Sequence, residues 1–166
     1  MKEIVIGCDN AAVGLKVEIE KLLDSMGVLY EDVGVNSESD EEIYPDIAAN
    51  VARKIIKSGY KKNGILICGT GIGMAIAANK FKGIYAAVCH DIYSVERAKL
   101  SNDTNIMTLG ARVVGAELAK ALVKEWLSLE FKPGSSTPKV ERIKSIENDN
   151  LKMNSPKNNT IFIHDP

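Results

Sequence analysis

Residues 64–67, Gly-Ile-Leu-Ile, are a short run without a polar side chain, and Cys68-Gly69-Thr70-Gly71-Ile72-Gly73 follows at once. Four residues are too few for a helix, and a run that is apolar without alternation reads as a strand buried on both faces. Only a sheet with helices packed on each side can bury such a strand, so this segment restricts the chain to α/β architectures with a parallel sheet. The rest of the sequence is consistent with that. Ile4-Val5-Ile6, Leu29–Val33, Ala86–Cys89 and Ile106–Leu109 read as further strands, each followed by a helical pattern. Leu15, Ile19, Leu22, Leu23 and Met26 form a stripe closed by Gly27, and Ile47, Ala48, Val51, Ala52, Ile55 and Ile56 form another after Tyr44-Pro45-Asp46. Shorter helices are expected from about Ile72 to Asn79 and through Val95 and Ala98, with a longer one over Ala116–Leu129. Five strand-then-helix units predict a three-layer, doubly wound, Rossmann-like α/β domain with a five-stranded parallel sheet.

The length of 166 residues suits one domain, expected over residues 1–148. A last helix, roughly Lys139 to Asn148, is expected to extend toward a partner subunit. Residues 149–166, rich in Asn and Lys, read as a loosely ordered tail whose Ile161-Phe162-Ile163 end docks elsewhere. A formal net charge of -1, with both signs interspersed, leaves no footprint for nucleic acid or an anionic membrane. Three cysteines without metal spacing or a CxxC pair, no signal peptide and no bilayer-length apolar run point to the cytoplasm.

In open α/β sheets, ligands collect at the carboxyl ends of the strands. The residues expected there are Cys8, Asp9, Asn10, Tyr44, Cys68 through Gly73, His90-Asp91, Asn102 and Gly110–Arg112, a set suited to a hydroxylated anion. The loop is the most informative member. Three alternate glycines between a buried strand and a helix let several amides converge on one anionic oxygen, whether of a phosphate or an enediolate. It is neither a Walker loop nor a dinucleotide fingerprint, since no Gly-Lys-Ser/Thr follows and Met74 takes the place of the third glycine. Tight strand-to-helix packing explains such glycines as often as a ligand does. Cys68 has two readings, an inert core thiol or a base whose pKa of about 8.5 is lowered at a helix start. His90 is either a structural hydrogen-bonding group or a catalyst aided by Asp91. Asp9 is a helix cap or a ligand contact. Arg112 is expected to be buried beside a subunit contact or a phosphate.

Gly7-Cys8-Asp9, Tyr44-Pro45-Asp46, Gly64 through Met74, Ala77-Ala-Asn-Lys80, Asn102-Asp103 and Gly110-Ala-Arg-Val-Val-Gly115 occur in order and together resemble the type B ribose-5-phosphate isomerases. That superfamily also holds the two subunits of galactose-6-phosphate isomerase. The resemblance covers residues 1 to about 148 and implies an enediol mechanism without metal or other cofactor. It also implies a homodimer, or a tetramer of such dimers, whose active sites draw on both subunits. Carried onto this sequence, it makes Cys68 the base between C1 and C2. Thr70 and the amides of Gly69, Gly71 and Gly73 stabilise the enediolate, and Asp9, Tyr44 and Asn102 hold sugar hydroxyls. A glutamate base used by some members has no counterpart, since Met74 stands there.

Three positions depart from the family pattern. Asn10 replaces the histidine after Asp9, Ser101 replaces the ring-opening histidine, and Ser135 replaces a phosphate-binding arginine in Pro133-Gly134-Ser135-Ser136. Lys139 lies where a second phosphate-binding arginine is expected. Two readings follow. His90 supplies the missing acid while Arg112 and Lys139 hold the phosphate, or the substrate never closes a ring. His90 through Ala98 and Leu100 through Asp103 resemble a branch that includes erythrulose-4-phosphate isomerases. The expected activity is therefore ribose 5-phosphate to ribulose 5-phosphate, with erythrulose 4-phosphate to erythrose 4-phosphate as the alternative. A non-catalytic sugar-phosphate-binding subunit is a further one.

Overall fold

A computed structural model describes residues 2–153. Five strands, β1 (Ile4–Cys8), β2 (Tyr30–Asp32), β3 (Asn63–Cys68), β4 (Ala86–Val88) and β5 (Ile106–Gly110), pair in parallel in the order β2-β1-β3-β5-β4. Every residue of β1, β3 and β5 is buried, whereas the edge strands β2 and β4 are half-buried. The apolar run at 64–67 thus lies in the central strand, where each large side chain contributes about 1.5–3 kcal/mol by leaving water.

Helices cover both faces. On one lie α1 (Val13–Ser25), α4 (Ile92–Asn102) and α5 (Ala116–Ser128), with α5 packed between the other two; α2 (Tyr44–Lys57) and α3 (Ile72–Ala78) pack together on the other. The division follows from right-handed crossovers. The chain steps outward from β1 to β2, then returns past β1 to β3, so α1 and α2 fall on opposite faces. The reversal leaves a crevice between the carboxyl ends of β1 and β3, flanked by Asp9 and Cys68.

Local signals set the helix ends. Pro45 stands in the first turn of α2, Gly27 adopts φ +66° just after α1, and Asp91 caps α4 by accepting the Ser94 amide at 2.8 Å. A short 3-10 turn, Asn10–Ala12, precedes α1 and is capped by Asp9. Strand β2 is shorter than its apolar pattern suggests, because Leu29 is exposed to 76% and contributes nothing to the core. The C-terminal helix α6 (Thr137–Met153) packs on α4 and runs past Asn148, so the boundary expected there falls inside a helix. The tail from residue 154, with Ile161-Phe162-Ile163, lies outside the described residues.

Candidate active site

The loop after β3 gives each of its glycines a different task. Gly71 has φ +78°, and a Cβ there would meet the Leu109 backbone at 3.0 Å, so an L side chain is excluded by conformation and by space. Its N–H donates to Cys68 Sγ at 3.1 Å. Gly73 opens α3 beneath the Tyr44 ring, where a Cβ would lie 2.5 Å from a ring carbon. Gly69 lies against the Arg112 side chain, whose Cδ is 3.5 Å from the position of an added Cβ. The three glycines therefore admit an amide to the sulfur, an aromatic ring and a guanidinium stem.

Cys68 is 5% exposed and aligned in register with Gly110 of β5. Because α3 is only seven residues long, the field at the sulfur comes mainly from nearby amides rather than from a long helix dipole. The other two thiols differ. Cys8 and Cys89 are fully buried, and burial pushes each up to about 12, so they stay protonated as core groups. All three cysteines are free.

Asp9 stands one strand from Cys68, its amide donating to Ile67 O at 3.2 Å. Its Oδ1 accepts the Ala11 amide at 3.1 Å, so it caps a turn while keeping a second oxygen. Burial raises its pKa, partly offset by the Ala11 hydrogen bond and by the charge of Arg112. Asn10 is exposed and donates to Asp40 O at 3.2 Å. Arg112 is exposed, contrary to the buried position expected for it. The turn after β5 leaves the sheet here, with the Arg112 amide donating to Gly69 O at 3.0 Å and the side chain lying along the loop toward Asp9.

His90 ends β4 at the same edge, with Gly110 between it and Cys68, about two strand spacings or 10 Å along the sheet. Its Nε2 accepts the Gly110 amide at 3.0 Å, which fixes the neutral tautomer with the proton on Nδ1. Asp91 does not orient it. Both Asp91 oxygens are taken by Ser94, from the amide at 2.8 Å and the hydroxyl at 2.6 Å, and those bonds hold Asp91 below the usual carboxylate range. The adjacency in sequence is therefore not a dyad.

Asn102 does not join this group. Asn102 is the last residue of α4, which leads from the carboxyl end of β4 to the amino end of β5, so it stands at the opposite edge, contrary to its expected place. An 11-residue helix separates the two ends by about 16 Å. Its Nδ2 donates to Arg97 O at 3.0 Å. Lys139 is exposed in the first turn of α6, the helix whose Glu147 accepts the Gly83 amide at 3.0 Å and the Tyr85 hydroxyl at 3.0 Å at that amino edge.

The family described as Ribose/Galactose Isomerase matches residues 4–143, most of the chain. The chain belongs to that family. It is 49% identical over 143 residues to the D-erythrulose-4-phosphate isomerase of Pectobacterium atrosepticum, covering 86% of this chain and 93% of that one. It is 46% identical over 147 residues to the ribose-5-phosphate isomerase B of Escherichia coli, covering 89% and 97%. Among solved structures, the ribose-5-phosphate isomerase B of Clostridium thermocellum superposes with a TM-score of 0.83 at 42% identity, covering 89% of this chain and 99% of that one.

Within this family fold, two buried polar side chains support the carboxyl edge and escaped the sequence reading. Thr108, fully buried in β5, donates from Oγ1 to Gly71 O at 2.9 Å and so pins the turn that aims an amide at Cys68. Its signal was a single hydroxyl inside Ile106-Met107-Thr108-Leu109. Lys16 is 1% exposed and falls on the helical stripe Ala12, Lys16, Ile19, Leu23, where a cation is out of place. Among the described residues no group of three or more His, Cys, Asp or Glu could hold a metal ion, and no helix is long and apolar enough to cross a membrane.

Proposed function

We propose that this chain is an aldose–ketose isomerase of a small sugar phosphate, with Cys68 as the base. One observation carries the reading: a nearly buried thiol meets a backbone amide at 3.1 Å in a glycine turn, one strand from Asp9 and beside a tyrosine ring seated on the same loop. The thiolate of Cys68 takes the proton from the carbon beside the carbonyl. The C–H electron pair becomes the C1=C2 bond, and negative charge moves onto the former carbonyl oxygen. The same thiol returns the proton to the neighbouring carbon while a hydroxyl proton passes between O1 and O2. Thr70 and the amides of Gly69 and Gly73 stabilise the enediolate, whereas the Gly71 amide acts through the sulfur. Asp9, Asn10 and Tyr44 hold sugar hydroxyls, and Arg112 holds the phosphate.

Asn102 stands at the wrong edge to serve the Cys68 of its own chain, which supports a homodimer in which each carboxyl edge is completed by the partner's amino edge. Three free thiols suit a reducing cytoplasm. Ribose 5-phosphate is the substrate expected from the family. The geometry of His90 favours the second reading, erythrulose 4-phosphate. With Nε2 held by Gly110, His90 can donate to a ring oxygen only through Nδ1–H, and Ser101 cannot replace the missing imidazole. A tetrose 4-phosphate has no free hydroxyl with which to close a furanose and needs no ring opener.

The test is steady-state kinetics of wild type and Cys68→Ala on both sugars. Loss of the base is expected to lower kcat by about 10²–10⁴-fold; turnover of neither sugar by wild type, or full activity in Cys68→Ala, overturns the assignment. His90→Ala separates the two readings: a larger loss on the pentose phosphate than on the tetrose phosphate would make His90 the ring opener, and equal losses, the outcome expected here, remove that role. Mixing Cys68→Ala with Asn102→Ala protein after reversible dissociation should restore about a quarter of wild-type activity, because half the dimers are hybrids with one intact site. No recovery places each site within one chain.

A further inference from the structure

Lys16 is a cation in the core whose hydrogen bonds all go to one segment of chain. It is 1% exposed, and its Nζ donates to Val35 O at 2.9 Å, to Asn36 Oδ1 at 2.8 Å and to Asp32 Oδ2. Three ammonium hydrogens thus meet three acceptors, all on the end of β2 and the residues after it. Breaking a buried pair from one side leaves an uncompensated charge, so this arrangement is held firmly.

The same segment is pressed against the site. A Cβ on Gly34 would lie 2.3 Å from Cys8 N, and the Val35 amide donates to Cys8 O at 3.0 Å, next to Asp9. Beyond Asn36 the chain is closed by Asp40, whose Oδ2 accepts the amides of Asn36 and Ser37 at 3.1 and 3.0 Å. The carbonyl of Asp40 accepts Asn10 Nδ2 at 3.2 Å. Four residues later Tyr44 begins α2 with its ring over Gly73. An unbroken chain of contacts therefore runs from Lys16 through Asn36 and Asp40 to Asn10, and the segment it holds leads into Tyr44.

We propose that Lys16 is a positioning residue that fixes the 33–42 segment from inside the core, so that Asn10 and Tyr44 meet the sugar in one arrangement. The inference rests on the isomerase reading. Contacts to sugar hydroxyls away from the reacting carbons act equally on bound substrate and transition state, so their loss appears in KM rather than in kcat.

The experiment is steady-state kinetics with thermal melting of the full chain, on whichever sugar phosphate the wild type turns over. Lys16→Met is expected to raise KM about tenfold with kcat within about twofold. Its melting temperature falls, and the Lys16→Met/Asp32→Asn pair, which removes both charges while keeping the Asp32 oxygen that accepts the Gly34 amide at 2.8 Å, recovers the melting temperature but not KM. Asp40→Ala removes the cap of the turn while leaving the core intact. It is expected to raise KM about threefold with an unchanged melting temperature. Recovery of KM together with stability in the double variant, or a wild-type KM in Asp40→Ala, overturns the proposal. A wild type inactive on both sugars overturns the isomerase reading instead; in that case hydrogen exchange at the amides of Asn36 and Ser37 decides, since unchanged protection in Lys16→Met removes the positioning role.

Discussion

The two edges of the sheet are built from different materials. At the carboxyl edge the chain places glycines, a thiol that accepts one backbone amide, an exposed guanidinium and a half-exposed tyrosine. At the amino edge it places bulk: Lys99 lies 4.2 Å from the Trp126 ring centroid, beside a cavity of about 570 Å³, and Glu147 ties α6 to Gly83 and Tyr85. The first edge needs room for a ligand and for charge that changes during reaction. The second carries the residues that hold helices to the sheet. Residues near strand ends in sequence are not thereby near one another in space, because a helix of 11 residues carries the chain across the whole sheet.

Gly73→Ala should have the largest effect and act on one edge only. The added Cβ would lie 2.5 Å from the Tyr44 ring, and Tyr44 is exposed enough, at 41%, to swing out. The expected result is a fall of about 100-fold in kcat/KM with little change in melting temperature. A melting temperature lowered in step with activity would show that Tyr44 packs rather than binds.

Lys99→Met probes the other edge through pH. Burial lowers the Lys99 pKa to about 8, below the unfolded value of roughly 10.4. Between these values the unfolded chain binds more protons than the folded one, so Lys99 makes stability rise with pH across that window. The stability of the methionine variant relative to wild type should therefore be greater below about pH 8 than at pH 10.5, by roughly 2–3 kcal/mol, on top of the constant loss of the Lys99 hydrogen bond to Thr104 O. The thiols of the carboxyl edge act in the opposite direction. Cys8 and Cys89, raised to about 12, remain protonated in the folded chain while the unfolded thiols ionise, so their contribution is lost as pH rises from about 9. Measuring the difference between variant and wild type by denaturant unfolding cancels the thiols; a difference independent of pH would show Lys99 to be solvated.

Glu147→Gln should cost about 1 kcal/mol by weakening two charge-assisted hydrogen bonds, which lowers the melting temperature by about 2–4 °C. An unchanged melting temperature would mean that α6 is held by its packing on α4 alone. The smallest effect belongs to Gly14→Ala, in α1 near the carboxyl edge. Nothing lies within 4 Å of an added Cβ and the backbone is ordinary helix, so stability should rise by about 0.5–1 kcal/mol with activity unchanged. Against Gly73→Ala it separates glycines present for space from glycines without a task.

Much of this molecule was legible before any coordinates. The apolar run at 64–67 implied a strand buried on both faces, and β3 is the central strand. The stripes of α1 and α2, with Gly27 closing the first and Pro45 opening the second, located those helices. Within the site, the place of Cys68, Asp9 and Tyr44 at one edge is legible because Cys68 ends a strand, Asp9 stands directly after one and Tyr44 opens a helix. That of Asn102 is not, since it ends a helix and is close to a strand end only in number. Lys16 was overlooked because a cation on an apolar stripe makes sense only once its three acceptors, 16 to 20 residues away, are known.

By itself the sequence determined the period of burial, hence the parallel sheet, and the chemical kinds present at each turn. Those are local properties, written in spacing and side-chain type. Only the tertiary structure decided which of those groups meet. The amide that reaches Cys68 depends on the left-handed turn at Gly71, held by Thr108 from another strand. The nitrogen left free on His90 depends on Gly110 across the ladder. Hydrogen bonds act over about 3 Å, so partners distant in sequence are assigned by the fold and not by the order of residues.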